Sequence, residues 1–160
     1  MAGTRSEAIR EHLAKALEWG DAHVDFDDAV RGLPEKLRGA RRKRLPYSAW
    51  QLIEHIRLAQ RDILDFCRNP KYRAKKWPDD YWPAKPAPPS KGAWSRSLAA
   101  FRADRRSLQR LARNPRVNLL ARIPHGEGQT YLREILLAAD HTAYHVGELV
   151  LLRRSLGAWK

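Results

Sequence analysis

Asp140-His141-Thr142-Ala143-Tyr144-His145-Val146-Gly147-Glu148 holds the densest set of side chains able to do chemistry. His141 and His145 stand four residues apart, so on an α-helix their imidazoles share one face, one turn apart. Two imidazoles held that way can share one metal ion. A third ligand must come from another element, and the best placed is His55, within Trp50-Gln51-Leu52-Ile53-Glu54-His55-Ile56-Arg57-Leu58-Ala59-Gln60. Three neutral histidines leave coordination positions open to water or substrate, which is the pattern of a catalytic rather than a structural site. Imidazole suits several divalent ions, and zinc, nickel, iron, copper and manganese all stay open. Glu148 lies three residues past His145 and seven past His141, on the same stripe. It can be an acceptor behind a ligand, a general base toward metal-activated water, or a weak ligand. Tyr144 can accept or relay a proton. His23 and His125 are peripheral candidates at a pocket rim. The competing account is three buried neutral histidines, hydrogen-bonded to one another and to Asp140 or Glu148.

These residues need helices to position them. The chain has 160 residues, 43% of them hydrophobic, which suits one domain with a substantial core. Alanine, leucine and arginine dominate over valine and isoleucine, which favours helix over sheet. A first segment runs from about Arg5 to Val30, with Thr4-Arg5-Ser6-Glu7 as a capping box and Ile9, Leu13, Ala16, Leu17 and Ala22 at helical spacing. Gly32 and Pro34 end it. A second starts at Ser48, where Ser48-Ala49-Trp50-Gln51 is another capping box, and runs to Asn69, because Pro70 cannot continue it. Leu52, His55, Ala59, Ile63 and Phe66 form its apolar stripe. Cys67 lies about 120° around that helix from His55, so it is a packed core thiol and not a member of the cluster. A third spans about Lys91 to Asn114, stopped by Pro115. A fourth is capped by Thr130, runs to about Ser155 and ends at Gly157. Residues 70–90 form a long connection rich in tryptophan, tyrosine and proline, whose aromatics suggest a loop packed over the bundle, either roofing a pocket or merely covering exposed core. Gly126 and Gly128 permit a tight turn but not a phosphate loop, since no strand precedes them. Four helices with a long connection after the second read as an all-α four-helix bundle.

At this point the chain resembles the DinB-like (DinB/YfiT) metal-binding four-helix proteins. The resemblance rests on His55 in its helical segment, on Gly128-Gln129-Thr130-Tyr131-Leu132-Arg133-Glu134, and on the stretch from Asp140 to Leu149. It covers nearly the whole chain, 1–160, as a single domain. It implies an up-down-down-up bundle, a homodimer, and a divalent metal on His55, His141 and His145. Many relatives carry glutamine where this chain has Glu148, so a carboxylate here lowers the charge of the site. Some relatives use low-molecular-weight thiols as cosubstrates. The expected function is therefore a metal-dependent enzyme, a thiol-dependent transferase or a hydrolase with metal-activated water, acting on a small molecule.

Two other classes stay in view. The formal net charge of +13 raises nucleic acid or another anion as a partner, through Arg41, Arg42, Lys43, Arg44 and the arginines of the third segment. A solvated basic surface is the plainer account and is favoured. The third class is a metal- or small-molecule-binding module without turnover. One cysteine and no visible signal peptide make the cytoplasm the simplest compartment, and no apolar run is long enough to span a membrane.

Overall fold

Ser48 and Gln51 close a reciprocal capping box that starts the central helix, α3, Ala49–Arg68. The Gln51 amide donates to the Ser48 hydroxyl at 3.2 Å, and the Ser48 amide donates back to the Gln51 side chain at 3.2 Å. Such a cap contributes about 1 kcal/mol. Here it also holds a loop. The Gln51 side-chain amide donates to the Pro83 carbonyl at 3.0 Å, and the Ser48 hydroxyl donates to the Pro86 carbonyl. The connection after α3 is thus tied back to the N-terminus of α3.

A computed structural model describes residues 5–159 of the chain. Thr4, the expected N-cap of the first segment, lies outside them. The remaining helices are α1 (Arg5–Ala16), α2 (Phe26–Val30), α4 (Ala93–Arg113) and α5 (Tyr131–Ser155). Among the described residues there is no strand, only two isolated bridges, Arg42 with Leu45 and Arg122 with Thr130. No helix among them is long and apolar enough to cross a membrane.

The expected bounds of α3, α4 and α5 hold closely, and Thr130 does cap α5, accepting from the Arg133 amide at 3.2 Å. The first segment departs from expectation. It is not one helix to Val30: α1 stops at Ala16, and a turn leads to the separate α2. Gly20 is a poor helix interior residue. Trp19 instead donates to the Asp21 carboxylate at 2.6 Å, and Asp25 caps the new helix by accepting from the Asp28 amide at 2.7 Å. Leu13 and Leu17 are buried as their spacing implies, but Ile9 and Ala22 are exposed.

α3 packs against α4 and α5, while α1 packs mainly on α4 and α2 on α5. The apolar interior forms two clusters. One takes Leu52, Ile53 and Ile56 of α3, Trp94 and Phe101 of α4, and Val146, Leu149 and Leu152 of α5. The other takes Ile63 and Leu64, then Leu108 and Ala112, then Ile135 and Ala138. On α3, His55 and Gln60 fall between Ile53 and Ile63. On α5, His141 and His145 fall between Ala138 and Val146. The histidines therefore occupy a polar layer where the two apolar clusters meet.

Candidate metal centre

The fold brings the three expected histidines together. One ring nitrogen from each of His55, His141 and His145 lies within 4.8 Å of the others. His55 is 1% exposed and His145 7%, while His141 is half-buried and marks the open side.

Each of two rings has its outward nitrogen spoken for. The Tyr81 carbonyl, which can only accept, takes the Nδ1–H of His55 at 3.0 Å. That fixes the tautomer and leaves a lone pair on His55 Nε2. The Glu148 carboxylate accepts from His145 Nδ1 at 2.6 Å, leaving His145 Nε2 free as a donor atom. His141 Nε2 faces His55 Nε2 at 3.0 Å. Metal-ligating histidines are oriented in just this way, by a carbonyl or carboxylate on the other ring nitrogen. Glu148 thus stands as a hydrogen-bond acceptor on the His145 ring.

Burial pushes His55 down to about 4; the Tyr81 carbonyl works the other way, and His145 adds to the depression. His141 is likewise pushed down to about 4, by burial first and then by His145 and His55. Both rings are neutral at pH 7 and can offer lone pairs to a cation. The three nitrogens thus fit a divalent ion by number and direction, and those of His55 and His141 by charge state. There is also a consequence for stability. In the unfolded chain a histidine titrates near 6.5. Between about 6.5 and 4 the unfolded state binds more protons than the folded one, so stability falls as pH falls through that window. Thermal melts of metal-free protein should show Tm dropping from pH 7 to pH 4.5, with a smaller drop in His55→Gln. An equal drop in both proteins would show that His55 is not held neutral.

Aromatic residues of the loop after α3 lie against His55. Trp82 stacks on the His55 ring at 3.8 Å between centroids and 6° between planes. Tyr47 stacks on the other face of the assembly, 3.8 Å from Trp82 at 15°. Trp77 stands edge-on to His55 at 6.1 Å and is 67% exposed. Stacking of this kind is worth about 0.5–1.5 kcal/mol per aromatic pair beyond area burial.

The family model described as the DinB superfamily matches residues 18–149, a span that includes all three histidines. The chain belongs to the DinB superfamily. No curated protein and no solved structure matches it.

The other candidates of this DinB-superfamily chain fall at varied distances from the trio. Tyr144 packs edge-on to His145 at 4.9 Å and is 66% exposed, with no hydrogen bond to its phenol among the described residues. His23 and His125 do not join the cluster. His23 is exposed beside Val24 and lines a separate cavity with Trp19, Asp140 and Thr142. His125 donates to the Phe66 carbonyl at 2.8 Å and borders a cavity with Asp62, Tyr72 and Glu134. Asp140 is exposed and, among the described residues, the hydrogen bonds of the three histidines go to one another, to Tyr81 and to Glu148 rather than to it. Cys67 is buried, and burial first and Glu134 second push its thiol up to about 12.

Arg42, Lys43 and Arg44 are exposed, and Arg41 donates to Gln51 at 2.9 Å. Several arginines of α4 are engaged inside the molecule. Arg102 and Arg105 hold Asp27 at 2.7 Å each, and Arg113 holds Glu11 at 2.8 Å. They bind α1 and α2 to α4.

Tyr81, whose carbonyl meets His55, and Asp62, which accepts from the Tyr81 phenol, were not singled out from the sequence. Asp62 lies seven residues past His55, on nearly the same face of α3. That spacing was the available signal. Nothing local marks the Tyr81 carbonyl, because it reaches His55 across 26 residues of chain.

Proposed function

We propose that this DinB-superfamily chain is a divalent-metal-dependent enzyme acting on a small molecule, a thiol-dependent transferase or a hydrolase. The observation that carries it is the convergence of three ring nitrogens, with two of the rings tied on their other nitrogen to a carbonyl and a carboxylate. His55, His141 and His145 would hold the ion. Bound there, a divalent ion supplies Lewis acidity, which makes a deprotonated water or thiol available near neutral pH.

The chain's own groups do the rest. Tyr81 and Glu148 keep two rings turned toward the centre. Trp82 and Trp77 keep water off the His55 side, leaving approach on the half-buried His141 side. The Tyr144 phenol, free and beside His145, is placed to hold or pass a proton at its Oη. Glu148, about one-third exposed, can take up positive charge that builds on the His145 ring. A thiol used in such a reaction has to be a cosubstrate, because the chain's single thiol is buried and stays protonated.

The up-down-down-up order is part of this reading. Its support is that α3 and α4 meet the first apolar cluster with their N-terminal halves, whereas α5 meets it with its C-terminal half. A homodimer is expected too, supported by Leu136 and Leu151, exposed on α5. The test uses protein purified without an affinity tag. Elemental analysis should find about one equivalent of a divalent metal, and light scattering at micromolar concentration a dimer. Turnover on a panel of electrophiles should rise with added low-molecular-weight thiol and vanish with chelator. Protein that takes up no zinc, nickel, iron, copper or manganese would remove the enzyme reading; metal without turnover on any substrate class would leave a binding module.

A further inference from the structure

Asp62 gathers two tyrosines from the loop after α3. Tyr81 donates to Asp62 Oδ2 at 2.7 Å, and Tyr72 donates to the same carboxylate at 3.1 and 3.2 Å. Burial, followed by the Asp62 contacts, pushes the pKa of both phenols up, so both stay protonated and remain donors at physiological pH. The backbone of that same Tyr81 presents its carbonyl to His55 Nδ1 at 3.0 Å. Its chain neighbour Trp82 is the residue stacked on the His55 ring. One loop residue therefore touches α3 twice. Its phenol is held two turns below His55, roughly 10 Å along the helix axis. Its carbonyl sits at the ring.

We infer that Asp62 and Tyr81 are positioning residues of the histidine centre: the Asp62–Tyr81 hydrogen bond sets the carbonyl that fixes His55 in the Nδ1–H tautomer, with Nε2 turned to His141 and His145. Asp62 touches none of the three ring nitrogens and is not a ligand. The geometry explains why a carboxylate stands on the face of α3 that the loop covers. An Asp side chain there accepts from two phenols at once, which a neutral amide does less well, since hydrogen bonds to a charged acceptor are about twice as strong. It also explains how a connection of some twenty residues can hold a ring to one tautomer. The loop is pinned at Pro83 and Pro86 by the capping box and at Tyr72 and Tyr81 by Asp62, on both sides of Trp82.

This inference rests on the metal reading for its purpose but not for its test. The test compares wild type, Tyr81→Phe, Asp62→Asn and Tyr72→Phe. Tyr72→Phe is the control for general loosening: it removes a phenol bond to the same carboxylate, from a residue whose backbone does not reach His55. Nitrogen-15 NMR of metal-free protein reads the tautomer of His55 directly. Wild type and Tyr72→Phe should show the Nδ1–H form, and Tyr81→Phe and Asp62→Asn a mixture of tautomers. Titration with zinc and nickel against a competing chelator should show 10- to 100-fold weaker binding in those two variants, the range found for supports behind metal ligands. An unchanged His55 tautomer in Tyr81→Phe and Asp62→Asn overturns the inference, as does metal binding in both within twofold of wild type. Equal effects in Tyr72→Phe also overturn it, because the bond would then serve only the loop. If wild type itself takes up no metal, the functional reading falls, and the tautomer comparison still decides the role of Asp62 and Tyr81.

Discussion

Replacing His141 by alanine weakens divalent-metal binding by more than about 100-fold, beyond the 10- to 100-fold range for losing a support behind a ligand. His141 is the sensitive position because its Nε2 faces His55 Nε2 at 3.0 Å and the open side of the site lies next to it. The fold should survive. His141 is only half-buried, and the apolar clusters on either side of it close through Ala138, Ile135, Val146 and Leu149. Circular dichroism should therefore match wild type while zinc or nickel uptake is lost. Glu148→Gln provides the contrast. It keeps an acceptor oxygen for His145 Nδ1 but removes the charge, so binding should weaken by less than in His141→Ala. The rival account puts a proton between His55 and His141 in place of a metal. Under that account wild type and His141→Ala show the same absence of uptake, and the mutation changes only stability.

The parts of this molecule that were legible in the sequence are those set by local chemistry. Ser48 and Gln51 lie three residues apart, and their reciprocal bonds need no tertiary contact, so the start of α3 could be read directly. Thr130 is the same case at α5, and Pro70 and Pro115 bound the ends of α3 and α4 by lacking an amide hydrogen. His141 and His145 declared themselves by a helical repeat, and His55 by lying on an apolar stripe where an unpartnered imidazole would be costly. What could not be read depends on where the chain returns. Tyr81 meets His55 through a carbonyl, a group every residue has. Trp82 was visible as an aromatic loop residue, yet its stacking on His55 depends on the path between Pro78 and Pro86. The break between α1 and α2 turns on a competition between continuing a weak helix through Gly20 and starting a new one at Asp25, and apolar spacing alone favoured the wrong side. Arginine on α4 reads as a solvated face until Asp27, some 75 residues earlier, is brought against it.

Asp27→Asn should destabilise the protein by about 2–3 kcal/mol, less than the roughly 3–5 kcal/mol for breaking a fully buried pair. Among the described residues Asp27 is the sole short ion-pair partner of Arg105, whose Nη2 donates to it at 2.7 Å. Arg105 is 8% exposed, its Nε and Nη1 have no hydrogen-bond partner among the described residues, and Glu18 comes only to 3.6 Å of Nε. Without the Asp27 charge, a nearly buried guanidinium is left with little compensation. Arg102, the other partner at 2.7 Å, has a side chain 39% exposed and can turn to water, which is why the smaller figure applies. Burial works to raise the Asp27 carboxyl, but the hydrogen bonds and charges of Arg105 and Arg102 outweigh it and hold the group below the ordinary carboxylate value. A depressed carboxyl contributes stability above the unfolded pKa of 3.8 and loses it as pH falls through the folded value. The Asn variant should therefore differ most from wild type near neutrality and converge with it in strong acid. For a chain of this size the change corresponds to a Tm lower by roughly 4–12 °C. Adding Arg105→Met to Asp27→Asn should recover much of the loss, because the buried charge goes with its partner. A Tm for Asp27→Asn within about 1 °C of wild type would show that the contact of α2 with α4 rests on Phe26 and Phe101, whose rings lie 3.9 Å apart, and not on the ion pair.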